Sequence, residues 1–232
     1  MSDVILEVCN LSKTFAEGDR QRRVFSNLNA SIRKGEFVVL LGRSGSGKST
    51  LLNLISGIDL PSGGEVRIGG RNLTGMTEQQ RTLFRRDHIG FVFQFYNLIP
   101  TLNVMENLLL PLELKKSLDA DSQRRALDIL QQVGLEDRSA SYPDRLSGGE
   151  QQRVAICRAL IHNPLVLLAD EPTGNLDAES GREVLALLDQ LIRKGRMTAL
   201  MVTHSAEVAG LADRVITIKD GGLVETAAST EV

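Results

Sequence analysis

Phe37-Val38-Val39-Leu40-Leu41-Gly42-Arg43-Ser44-Gly45-Ser46-Gly47-Lys48-Ser49-Thr50 joins an apolar run to a glycine-rich turn and then to the apolar segment Thr50–Ile58. Five apolar residues, two of them β-branched, are the length of a buried strand, and the longer segment after the turn reads as a helix. Gly42, Gly45 and Gly47 let the backbone curl so that N–H groups of Ser44, Ser46 and their neighbours turn inward. The helix start adds positive potential, Lys48 supplies a point charge, and Ser49, with Thr50 beside it, offers a hydroxyl. Phosphate oxygens, with Mg²⁺ held by Ser49, are what such a cradle fits. A strand before and a helix after are the context a phosphate-binding P-loop requires, which a mere glycine-rich turn would not need.

Outward from this stretch, short apolar runs at Val4–Val8, Ile89–Phe93, Leu165–Ala169 and Thr198–Val202 also read as strands. Ala178–Arg193 carries Val184, Leu188 and Leu191 at helical spacing, with Glu183, Asp189 and Arg193 free to face water. Continuous apolar strands alternating with helices predict an α/β fold: a P-loop core with a mostly parallel sheet covered on both faces. The alternating stretches Val24–Arg33 and Glu65–Ile68, punctuated by Gly63-Gly64 and Gly69-Gly70, predict an N-terminal antiparallel β subdomain. Asn103 to about Asn163 is helical in pattern, with breaks expected at Pro111 and Pro143. The expectation is one domain over residues 1–232, in which 1–93 and 164–232 form the core and antiparallel subdomain and about 94–163 an inserted α-helical subdomain.

A net charge of −2 and short basic clusters (Arg20–Arg23, Arg85-Arg86, Arg124-Arg125) interrupted by acids argue against nucleic acid as a partner. Each cluster reads as a solvated face. Cys9 and Cys157 are too far apart and too few for a disulfide scaffold or a metal site. Met1–Asn10 lacks a basic-then-apolar signal, and no apolar run approaches the ~18 residues of a membrane span. The cytosol is the expected compartment, and any membrane work is expected from outside the bilayer.

A second site lies at Asp170-Glu171, directly after Leu165–Ala169. Carboxylates at the C-terminal end of a buried parallel strand sit where α/β sheets bind ligands. Asp170 is expected to hold Mg²⁺ through water and Glu171 to take a proton from the water attacking a γ-phosphate. Alone, two acids after a strand read equally well as a cap on the next helix.

Leu146-Ser147-Gly148-Gly149-Glu150 opens a further helix. Ser147 and Glu150 form a capping box, but two glycines at the first helical positions cost about 1 kcal/mol each against alanine. Bare glycine amides at a helix start suit close approach to an anion. With this stretch the whole chain resembles the ATP-binding cassette (ABC) family, whose LSGGQ signature it matches with Glu150 for Gln.

The resemblance implies that Ser147, Gly148, Gly149 and Glu150 of one subunit cover the ATP held by the P-loop of another, in a homodimer. It also implies Phe15 stacked on adenine, Gln94 as the Q-loop residue sensing Mg²⁺ and γ-phosphate, Asn175-Leu176-Asp177 as the D-loop and His204 as the switch histidine. By local physics alone Phe15 is equally a core residue and His204 a surface one. Cys157 stands where the family usually has alanine and reads as a buried, inert thiol.

Gly90–Gln94, Leu98–Leu102 and Ala169–Asp177 narrow the resemblance to the lipoprotein-releasing, macrolide-exporting and cell-division ATPases (LolD, MacB and FtsE types). The implied protein is an ATPase at the cytoplasmic face of the inner membrane that drives a separate membrane permease for export or extraction. The alternative it leaves is a regulatory cassette signalling to a periplasmic enzyme without transport. Phe95, Tyr96 and Leu98 admit two readings, a groove for a permease helix or packing of the helical subdomain.

Overall fold

The structure, a computed structural model, describes residues 3–18, 20–219 and 221–226. Met1 and Ser2 of the expected leaderless start, and the last residues of the expected domain, lie outside them. In chain order the elements are β1 (Val4–Glu17), β2 (Arg20–Arg33), β3 (Phe37–Leu41), α1 (Lys48–Ile55), β4 (Gly63–Ile68), β5 (Arg71–Asn72), α2 (Glu78–His88) and β6 (Ile89–Val92). There follow α3 (Val104–Leu114), α4 (Ser122–Gln132), α5 (Gly148–Leu160), β7 (Val166–Asp170), α6 (Ala178–Gly195), β8 (Thr198–Thr203), α7 (Ala206–Ala209), β9 (Arg214–Lys219) and β10 (Gly222–Thr226).

Two sheets result. β2-β1-β4-β5 is antiparallel throughout, the expected N-terminal sheet. In the second, of order β10-β9-β3-β8-β7-β6, every neighbouring pair from β9 to β6 is parallel, and β10 closes one edge antiparallel. The sequence reading did not include β9 and β10. Their signal was present in Arg214–Lys219 and Leu223–Thr226, two alternating β-branched runs flanking Gly221-Gly222, a hairpin pattern.

Because side chains alternate across a strand, β3 is buried on both faces. Phe37 and Val39 join α3, α4, α5 and α6 in one apolar cluster. Val38 and Leu40 join α1 and the antiparallel sheet in the other. The helices of residues 94–163 therefore share their core with a face of the central sheet. Pro143 opens a short 3-10 turn (Pro143–Arg145) ahead of α5 rather than interrupting a helix, and Pro111 lies inside α3. An interior proline costs about 3 kcal/mol. Val104, Leu108, Leu109 and Leu112 of the same helix are all buried, and each contributes about 1.5–3 kcal/mol. Tertiary burial wins over local propensity.

Gly90 of β6 sits under α5, where a Cβ would stand 2.4 Å from the Ala159 carbonyl oxygen. Backbone cannot move aside as a side chain can. Gly90→Ala is expected to destabilise the protein by about 1–3 kcal/mol, seen as a lower urea midpoint with an unchanged m-value. A midpoint equal to wild type would mean that β6 and α5 are less closely apposed.

Candidate nucleotide site

Parallel strands present all their C-terminal ends on one edge of a sheet, and the site is built there. β3 ends at Leu41 beside Thr203 of β8, β8 runs beside β7 with Val202 opposite Asp170, and β7 runs beside β6 with Ala169 opposite Val92. The P-loop, His204, Asp170-Glu171 and Gln94 follow these four ends in turn. They come from positions up to 162 residues apart, counted from Gly42 to His204.

A cleft of about 450 Å³ opens at this edge, lined by Phe15, Ser44, Gly45, Gly47, Lys48, Ser49, Thr50, Gln94, Asp170 and Glu171, with Arg22 and Val24. Arg22, read from sequence as part of a solvated cluster, thus stands at the cleft wall. It is the cross-strand partner of Phe15 on β2. Phe15 is partly exposed, with Lys13 Nζ 4.7 Å from its ring centre. Gly42 and Ser46 are half-buried and do not line the cleft, and a Cβ on Gly42 would stand 2.6 Å from Ser46 Oγ. Ser46 Oγ is buried without a hydrogen-bond partner.

Gly47 begins α1 with φ +96°, and a Cβ there would stand 2.7 Å from Phe25 Cζ. Only glycine serves at this position. The N-termini of α2, α3, α5 and α6 are covered by the side chains of Thr77, Asn103, Ser147 and Asp177. Gly47 makes no such cap, so the first N–H groups of α1 receive no side-chain acceptor from the N-cap residue. A helix start left open in this way suits an anion.

Lys48 is buried, and Nζ donates to the carbonyls of Gly42 (2.9 Å) and Arg43 (3.2 Å) and stands 3.5 Å from Glu171 Oε1. The other carboxylate oxygen, Oε2, is 3.0 Å from His204 Nδ1. Glu171 has φ +43°, a strained conformation for a non-glycine residue, held by its N–H donating to Val202 and its carbonyl accepting from Gly174.

Ser49 Oγ donates to Asp170 Oδ1 at 3.3 Å. Burial pushes the Asp170 carboxyl above the ordinary range, the Ser49 hydroxyl pulls it back, neighbouring Glu171 raises it and Lys48 lowers it. Among the described residues no three or more His, Cys, Asp or Glu converge as a metal cage. Hydroxyl, carboxylate and amide oxygens instead form a partial, hard-oxygen set, of the kind Mg²⁺ completes with phosphate and water.

The signature residues line no part of this cleft. Ser147 and Glu150 make the expected capping box, Ser147 Oγ accepting from Glu150 N and Glu150 Oε2 accepting from Ser147 N at 2.7 Å. The Ser147 N–H bond holds the Glu150 carboxyl below its usual range, with Arg138 3.6 Å away. A Cβ on Gly148 would stand 2.6 Å from Tyr96 Oη, so a larger residue there would have to displace the end of that side chain. At Gly149 a Cβ would find only ordinary contact with Ser180, so packing does not require glycine there.

Asp177 caps α6, accepting from the N–H groups of Glu179 and Ser180. Phe95 is 68% exposed and Leu98 packs partly on the core. Cys157 is buried and its thiol is pushed up to about 12 by burial, as an inert thiol would be.

A glycine-capped loop after the central strand β3, with two acids at the end of β7, the parallel strand two places away, defines a P-loop nucleoside-triphosphatase fold. A family profile described as ABC transporter matches residues 25–174. An uncharacterized ABC transporter ATP-binding protein of Mycobacterium tuberculosis is 54% identical over 95% of this chain and 89% of its own length. The lipoprotein-releasing system ATP-binding protein LolD of Psychrobacter arcticus is 43% identical over 94% of this chain and 96% of its own. The dimeric ATP-binding cassette MJ0796, solved in a post-hydrolysis state with ADP and Pi, superposes with a TM-score of 0.87 and 40% identity, covering 98% of this chain and all of that one. The chain belongs to the ABC transporter ATP-binding family.

A raised carboxyl favours the protonated, uncharged form in the fold. Asp170 therefore contributes stability at acid pH that is lost as pH rises through its folded value. Asp170→Asn, neutral throughout, is expected to raise the thermal midpoint of the nucleotide-free protein at pH 7, and the gain should vanish below the ordinary aspartate range. A midpoint difference independent of pH would contradict this account of Asp170.

Proposed function

We propose that this chain binds ATP in the cleft, hydrolyses it, and pairs head to tail with a second copy to drive a separate membrane permease from the cytoplasmic face. The observation that carries the reading is the convergence of Lys48, Ser49, Asp170 and Glu171 on one cleft. The α1 N–H groups and Lys48 hold the phosphates, and the Phe15 wall takes the base. Ser49, Asp170 and Gln94 would hold Mg²⁺, which when bound supplies charge neutralisation at the phosphates.

Lys48 now shares itself between loop carbonyls and Glu171. A phosphate oxygen is the stronger partner, and Lys48 turning to it leaves Glu171 Oε1 to accept a proton from water. His204 keeps the carboxylate oriented through Oε2. The signature lies outside the cleft, which fits a second copy delivering its Gly149 face to the phosphates.

No helix among the described residues is long and apolar enough to cross a membrane. Exposed Phe95 is the residue best suited to meet it. The lipoprotein-releasing relative favours transport or extraction over the regulatory cell-division alternative.

Glu171→Gln keeps shape but cannot take the proton, so turnover should fall by about 10²–10⁴, or roughly 3–5 kcal/mol of barrier. ATP should then trap a dimer, because each bound nucleotide adds contacts found only in the closed pair. Ser147→Arg in addition should abolish the dimer while ATP still binds the monomer. Light scattering with and without ATP reads both, and an ATP-independent monomer for Glu171→Gln would count against the paired arrangement.

A further inference from the structure

Gln94 and Asn175 lie 81 residues apart and are joined twice. Asn175 Nδ2 donates to the main-chain carbonyl of Gln94 at 3.0 Å, and Asn175 Oδ1 accepts from Gln94 Nε2 at 3.3 Å. The closeness is permitted by Gly174, where a Cβ would stand 2.8 Å from Gln94 Nε2.

The two bonds settle which way both amides face. A main-chain carbonyl can only accept, so Asn175 must turn its NH₂ toward it. Its oxygen is then the atom left facing the Gln94 side chain, which must answer with its own NH₂. Gln94 Oε1 is the end of that amide the pair does not use. Gln94 lines the cleft together with Ser49 and Asp170. An amide can ligate a hard cation through its oxygen but not through its NH₂.

We infer that Asn175 is a positioning residue that fixes the amide of Gln94 so that it offers oxygen, not nitrogen, to a divalent cation in the cleft. Asn175 itself touches neither nucleotide nor cation. The inference rests on the reading of the cleft as a Mg²⁺–ATP site. It predicts a coupling that a merely structural asparagine would not have. Gln94→Glu presents oxygen from either end of the side chain, so in that background the orientation set by Asn175 no longer matters.

The test uses the full chain, Mn²⁺ as the probe and a non-hydrolysable ATP analogue, with metal affinity of the complex read by electron paramagnetic resonance. Thermal midpoints and analogue affinity in EDTA serve as folding controls. Asn175→Leu should weaken Mn²⁺ binding about 10-fold, as loss of an outer partner of a metal ligand does. Gln94→Glu should bind Mn²⁺ equally with and without Asn175→Leu. Unchanged affinity in Asn175→Leu, or an equal loss in both backgrounds, would overturn the inference. A wild-type chain that binds neither analogue nor Mn²⁺ would instead overturn the nucleotide-site reading beneath it.

Discussion

The buried ammonium of Lys48 is the group on which the rest of the site depends. A cation taken out of water costs several kcal/mol unless it is paired and hydrogen-bonded. Here the loop turns two carbonyls toward Nζ, and Glu171 comes within 3.5 Å. Both demands shape the chain. The loop can curl this tightly because Gly47 occupies a positive φ against Phe25, and Glu171 reaches the ammonium by adopting a positive φ of its own. The glycine turn at Gly47 and the strained backbone of Glu171 lie on either side of one charge.

The sheet makes that arrangement possible. Strands of one direction bring the ends of β3, β8, β7 and β6 to one edge, and burial on both faces gives them a fixed register. One face carries the antiparallel sheet and α1, and the other carries the helices that include α5. The signature helix is thereby bonded to the loop that follows β6: Arg158 donates to the Tyr96 and Asn97 carbonyls, and Gln152 to Phe93. A change at Gln94 has a short hydrogen-bonded route to α5.

Much of this was legible in the sequence where local pattern and chemistry agree. Phe37–Leu41 and the glycines after it specify strand and loop by themselves, and an apolar run ending in two acids specifies β7 and its end. What stayed hidden is mostly long-range. β9 and β10 carry a hairpin pattern, but their places beside β3 and at the edge depend on pairing far along the chain. Pro111 was read by its local cost, and the burial that outweighs it comes from other helices. Arg22 reaches the cleft only because β2 pairs with β1 opposite Phe15. The tie between Gln94 and Asn175 has no local signal, since neither residue type nor spacing announces it.

The signature lies beyond the cleft, so the central claim is that each ATP is enclosed by two copies of the chain. Mixing variants tests it most directly. In the Glu171→Gln background, Lys48→Ala spoils one subunit's P-loop and Ser147→Arg spoils another's signature. Each variant alone should fail to dimerise with ATP. Mixed, they should form a pair holding one nucleotide, because one of its two composite sites joins an intact P-loop to an intact signature. A mixture that remains monomeric at saturating ATP, while the Glu171→Gln parent dimerises, would contradict an arrangement in which the signature acts across the pair.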